Sequence, residues 1–141
     1  MGRVYAVTFE GTAVTAQVDF FELTPADDKP VRLLGLLLSQ SSDVGDAAEE
    51  ILRIKVIRGH TTGGSGGSAP TPAPVNPSDA ASGFAAETLN TTIASVGTTV
   101  DLLADAFNIR TGYQLWWTPS TPSPPDFCTP VRTISPYAMA A

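Results

Sequence analysis

"AVTAQVDFFEL", Ala13 to Leu23, is the stretch that decides the fold class. It places Val14, Ala16, Val18 and Phe20 on one side and Thr15, Gln17 and Asp19 on the other. A period of two with one apolar and one polar face marks an antiparallel strand that is dry on one side and wet on the other. Upstream, "VYAVTFEG" sets Val4, Ala6 and Thr8 against Tyr5, Val7 and Phe9, and Gly11 allows a turn. Downstream, "TPADDKP" is a Pro-bounded polar turn. "VRLLGLLLSQ" is apolar on both faces, as expected of a central strand or of one covered by a neighbouring subunit. "SSDVGDAAEE" offers one helical turn capped by Ser42 or Asp43, which Gly45 keeps short. "EILRIKVIRG" alternates again, with Leu52, Ile54 and Val56 opposing Arg53 and Lys55.

The segment Gly59 to Phe84, "GHTTGGSGGSAPTPAPVNPSDAASGF", reads as a long Gly/Pro-rich surface loop. Beyond it, "ETLNTTIASVGTTVDLLADAFNIRTGYQLWW" returns to Thr, Val and Ile, with Gly97 and Gly112 at turn or bulge positions. The neighbouring Trp116 and Trp117 are expected on opposite faces of the sheet, one of them covered by another chain or by the tail. The tail, "TPSTPSPPDFCTPVRTISPYAMAA", holds half of the 12 prolines. Each removes a backbone donor and fixes φ, so the tail is expected as an extended arm and not as a sheet strand. Phe127, Val131, Ile134 and Tyr137 are spaced along it like anchors for a partner surface. The expected architecture is all-β: a single small β-sandwich or jelly-roll-like domain over residues 1–117, with the 59–84 loop, followed by an extended C-terminal arm over 118–141. About seven or eight short strands fit that class. Trp116, Trp117 and Phe84 join the four arm residues as the expected interface.

Composition limits the partners. The charged share is 16%, against about 25% in an ordinary soluble domain. Surfaces covered by something other than water are expected. Net charge is −6, and no Lys or Arg lies between Arg58 and Arg110. Nucleic acid is not an expected partner, because phosphate contacts need Lys and Arg gathered on one face. No run approaches the roughly 18 apolar residues of a membrane-spanning helix, so no membrane is expected either. The first ten residues alternate instead of forming the apolar core of a signal peptide.

No pattern of catalytic, cofactor or metal ligands rises above composition. "TTGGSGGSAP" has the glycines of a phosphate loop but no Lys in reach of the Walker spacing. His60 is the one histidine, and no nucleophile elbow accompanies it. Asp101 and Asp105 share a strand face by parity, the minimum for a glycosidase pair, and equally the pattern of a wet face. The acidic groups Ala26–Asp28 and Asp46–Glu50 lack calcium-loop spacing and read as solvated turns. Cys128, alone in the sequence, excludes an internal disulfide and reads as a small packed residue. "NTT", Asn90 to Thr92, matches a glycosylation sequon within a Thr-rich strand.

Two stretches, "VYAVTFEGTAVTAQVDFFEL" and "PADDKPVRLLGLLLSQSSDVGDAAEEILRIKVIRGHTT", resemble small proteins encoded in tailed-phage and prophage genomes. The resemblance covers roughly residues 1–117. In those chains further strands follow the paired tryptophans, where this one has its Pro-rich tail. In size, acidity and β content the chain is similar to capsid decoration (cement) proteins. That resemblance implies a non-enzymatic protein on the outer capsid surface of the virion, bound to the major capsid protein as a homotrimer. The other expectation is a tail- or fibre-associated module for a receptor or glycan, in which Trp116, Trp117, Tyr113 and Tyr5 form an aromatic platform.

Overall fold

The computed structural model describes residues 2–39, 51–108 and 111–116, and the backbone of 126–127 and 131–138. Nearly all regular structure among the described residues is β. Short pieces come first: β1 (Tyr5–Ala6), β2 (Asp19–Pro25), β3 (Val31–Arg32) and β4 (Gly35–Leu38). β5 (Ile51–His60), β6 (Ala73–Pro74), β7 (Phe84–Asn90) and β8 (Val100–Asn108) follow. β9 (Tyr113–Trp116), β10 (Asp126–Phe127) and β11 (Val131–Ala138) complete the order. Among the described residues the largest sheet is antiparallel with the order β7-β2-β11-β5-β8, and there are three two-stranded pairs, β1-β6, β10-β3 and β4-β9.

The alternation read in 50–59 forms β5 as expected. Ile54 and Val56 are buried, and Leu36 of β4 is buried with them. Leu38 of β4, and Tyr113 and Leu115 of β9, pack on that cluster together with Leu52, Leu103 and Phe107 from the large sheet. The β4-β9 ribbon therefore lies with one face on the β5-β8 side of the sheet. Its other face carries Gly35, Leu37, Gln114 and Trp116, paired Gly35 with Trp116 and Leu37 with Gln114. A second, smaller contact brings Phe9 against Phe20 and Phe21, with ring centroids 5.6 and 5.1 Å apart.

The strand read in 13–23 is shorter than its pattern. β2 begins at Asp19, and Thr15 to Val18 lie outside it. Asp19, expected on a wet face, is fully buried.

Two larger expectations are corrected. Part of the tail is a strand: β11 sits between β2 and β5 in the middle of the large sheet. Its one proline, Pro136, pairs with Ile54 of β5 and lies past Ile134, the last position in register with β2. With a neighbour on one side only, a missing donor is tolerated there as on an edge strand. Proline counting fails because most of the tail's prolines precede β11. The second correction concerns the 59–84 loop. Gly59 and His60 end β5, Ala73 and Pro74 form β6 against β1, and Phe84 opens β7. Between them Thr62, Ser65 and Ser68 bridge to Ser95, Thr92 and Thr88. The segment is held by its own chain, through Thr62 N–H to Ser95 O (3.1 Å), Ser65 N–H to Thr92 O (3.0 Å) and Ser68 N–H to Thr88 O (2.9 Å), each reciprocated.

Candidate interface and the buried polar cluster

The bridging residues Thr62, Ser65 and Ser68 are each separated by a Gly-Gly pair. A bridge every third residue is not a strand ladder, whose side chains repeat every second one. The glycines face the sheet at van der Waals limits. A Cβ on Gly64 would stand 2.6 Å from Thr92 O and 2.8 Å from Asn90 Nδ2. On Gly67 it would stand 2.2 Å from Thr88 O and 2.5 Å from Asn90 Oδ1. The space that side chains would take is occupied by Thr88 and Asn90 of β7, by Thr92 just beyond it and, at Gly63, by Glu22 of β2.

The buried polar residues around the glycine run are Asp19 and Glu22 from β2, Thr88 and Asn90 from β7, and His60 at the end of β5. Glu22 Oε2 accepts the Gly64 N–H at 2.7 Å and the Asn90 amide at 3.1 Å. Asn90 donates also to Glu87, at 2.8 Å. Asp19 accepts the backbone N–H of Ala94 at 2.6 Å. A carboxylate that accepts backbone N–H groups offsets its burial while fixing the chain that donates them. The cluster thus clamps both the glycine run and the segment after β7 onto the sheet. Asn90 is consumed in this network, so the "NTT" sequon presents no accessible amide.

Sequence reasoning passed over Asp19, Glu22 and Asn90, because polar residues in a strand read as its wet face. A signal was present in the triplet spacing of Thr62-Gly-Gly-Ser65-Gly-Gly-Ser68, which an unstructured linker does not need.

The sequence-derived candidates separate. Asp101 and Asp105 lie on opposite faces of the sheet. A bulge between Val56 and Ile57, which pair with Leu103 and Asp101, reverses the parity. Asp101 is bound by Lys55 at 2.7 Å, while Asp105 accepts the Tyr113 hydroxyl at 3.0 Å. The carboxylate pair therefore does not form. Burial and the bond to Asp105 push the Tyr113 hydroxyl up to about 12. Burial holds His60 below its ordinary value, against the opposing pull of Glu22 and Asp101.

Trp116 does stand out at the surface, 60% exposed, with Leu37 at 55% beside it on the outer face of the β4-β9 ribbon. Its ring lies over Gly35, where a Cβ would be 2.6 Å from Cε3, which explains the glycine inside "LLGLLL". Tyr113 is on the other face of β9, its ring 5.1 Å from Phe107. Tyr5 is elsewhere, edge-on to Phe84 at 5.8 Å. The aromatic platform of Tyr5, Tyr113 and Trp116 is therefore not assembled. Phe84 is half-buried within the chain. Trp117 and Cys128 lie outside the described residues, and Phe127, Val131, Ile134 and Tyr137 are described only as backbone of β10 and β11. Comparison of the chain with protein-family models, with curated proteins and with solved structures finds no match.

Proposed function

We propose that this protein is a non-enzymatic virion component, a decoration protein that binds the outer capsid shell as an oligomer and stabilises it. The partner is the major capsid protein, and a homotrimer is the assembly implied by the proteins the chain resembles. One observation carries the reading: the outer face of the β4-β9 ribbon exposes Leu37 and Trp116 side by side with no charged residue between them. Exposed apolar side chains grouped on one face mark contact with another macromolecule, and Trp is prominent among residues that dominate such contacts. The low charge of the whole chain supports the same reading. Binding only to the assembled shell would stabilise it by mass action, and an oligomer bridging several capsomers would multiply the effect. A compact sandwich or jelly-roll arrangement, with the ribbon as its second layer, would hold the contact face rigid.

The second reading is a tail- or fibre-associated glycan-binding module, favoured by the exposed Trp116 ring, a surface on which a sugar can stack. The test is copy number in purified particles combined with the variants Leu37→Glu and Trp116→Glu. Decoration predicts many copies per particle, lost in both variants along with the extra heat stability of the shell. Low copy number, or full occupancy by both variants, overturns it. Low copy number with binding blocked by free sugar supports the module.

A further inference from the structure

Glu22 of β2 and Glu87 of β7 stand directly opposite each other in the sheet register. Glu22 is 3% exposed and Glu87 is half-buried. Like charges at facing positions destabilise a strand pair, and burial removes the water that would screen them. Among the described residues no Lys or Arg is paired with either carboxylate. What lies between them is the side-chain amide of Asn90. Its nitrogen gives both hydrogens there, 3.1 Å from Glu22 Oε2 and 2.8 Å from Glu87 Oε2.

The other end of the same amide is left over. Asn90 is 1% exposed, and its Oδ1 has no hydrogen-bond partner among the described residues. A buried acceptor without a partner costs the hydration it has lost. The two ends of an amide match in outline, so a half-turn about the last side-chain bond exchanges them. The oxygen then takes the place of the nitrogen, at 3.1 and 2.8 Å from the two carboxylates. The nitrogen takes the place beside Gly67, where the Thr88 carbonyl also lies. Three oxygens brought together, two of them charged and none neutralised by the chain, are the donor set of a hard cation.

We propose that Glu22, Glu87 and Asn90 form a calcium site, in which the ion replaces the Asn90 N–H groups as the positive charge between the carboxylates and Asn90 turns its oxygen inward. Oxygens about 3 Å apart are neighbours in a calcium shell, whose ligands lie at roughly 2.3–2.6 Å. Magnesium fits less well, because it keeps several of its waters and Glu22 is enclosed. Among the described residues no three His, Cys, Asp or Glu side chains gather to hold a metal, so the site depends on the amide. Three protein oxygens, of the roughly six to eight that calcium takes, make a weak site completed by water at the half-buried Glu87. Glu22 also accepts the Gly64 N–H at 2.7 Å, so the ion fixes the carboxylate that holds the glycine run. The site lies on β2 and β7 and not on the β4-β9 ribbon, so the inference does not rest on shell binding.

Thermal unfolding of the full chain, freed of metal by chelation and then titrated with calcium to about 10 mM, tests it. The wild-type midpoint is expected to rise with calcium and to move less with magnesium. Glu87→Gln removes one charge and keeps an oxygen that accepts the Asn90 amide. It should stay cooperatively folded and need at least about tenfold more calcium for the same rise. Asn90→Asp sets three carboxylates together with no donor between them. It should lower the metal-free midpoint, and calcium should recover most of the loss, which it would not do if the amide served only as a hydrogen-bond donor. A wild-type midpoint indifferent to calcium overturns the proposal. So does a calcium response unchanged in Glu87→Gln, or an Asn90→Asp chain that calcium does not rescue.

Discussion

His60 shows how one side chain reports on the packing around it. It ends β5, is buried, and lies next to the glycine run that covers the sheet. Loss of solvent penalises the imidazolium, and the fields of Glu22 and Asp101 only partly offset that penalty. The folded-state pKa is therefore below the 6.5 of the free side chain. As pH falls through 6.5 the unfolded chain takes up a proton before the folded one does. The contribution of His60 to stability is thus complete above 6.5 and is lost progressively below it, through the folded pKa. Urea unfolding as a function of pH should show stability declining just below 6.5, before the carboxylates titrate. His60→Gln should flatten that part of the curve; a curve of unchanged shape would show that His60 does not titrate differently in the two states. None of this was legible in the sequence, where His60 reads as a loop-flanking residue. Asp19 misleads in the same way, since period-two alternation assigns a face but does not say what lies on it. Here Asp19 is met by the backbone N–H of Ala94, 75 residues on, and no local pattern encodes that contact.

The glycine run makes the corresponding point for an element. Gly-Gly pairs between Ser and Thr have the composition of a flexible linker, and conformational entropy favours leaving such a chain free. Order is reached because each bridging residue exchanges two backbone bonds with the 88–95 segment, and the glycines let the backbone approach buried polar groups. The glycines are not equivalent, and the difference is measurable. A Cβ at Gly67 meets Thr88 O at 2.2 Å and Asn90 N at 2.8 Å, both fixed backbone atoms of a buried strand. A Cβ at Gly63 meets a single side-chain atom, Glu22 Oε1, at 2.7 Å, no backbone atom among its nearest neighbours, and its next contact is at 3.6 Å. Gly67→Ala should cost about 2 kcal/mol or more, in the range of overpacking, and Gly63→Ala less than about 1 kcal/mol. Denaturant midpoints at constant slope give both values; equal costs would mean that the run yields as a unit and is not clamped residue by residue. Strands with clean alternation, β5 above all, were legible because their own side chains decide their burial. The run was not, because its order is decided by backbone partners some 25 positions later, at Thr88 and Thr92.

For the whole molecule the decisive feature is where the last strand goes. β2 and β5 are separated by 25 residues in sequence (Pro25 to Ile51 being the intervening gap), yet they do not pair with each other; β11, from the far end of the chain, lies between them. Register with β5 runs from Val131 to Ala138, and with β2 at Thr133 and Ile134. Such a sheet closes only when its most distant segment arrives, and long-range pairing of that kind must be reached against the entropy of closing the loop. The β7-β2 half and the β5-β8 half each have an open edge until then. A chain ending before Thr129 should therefore lose its cooperative unfolding transition, and not simply a peripheral arm. Adding a peptide of residues 129–141 should restore the transition in a concentration-dependent way, since a strand bound from solution stabilises by mass action. Calorimetry of the truncated chain with and without the peptide makes the distinction. A truncated chain that melts at the wild-type temperature would return the tail to the role of an arm outside the sheet. The same dependence sets the choice of variants for function: truncating the tail would confound folding with binding, whereas Leu37 and Trp116, on the outer face of the ribbon, can be changed while the sheet stays closed.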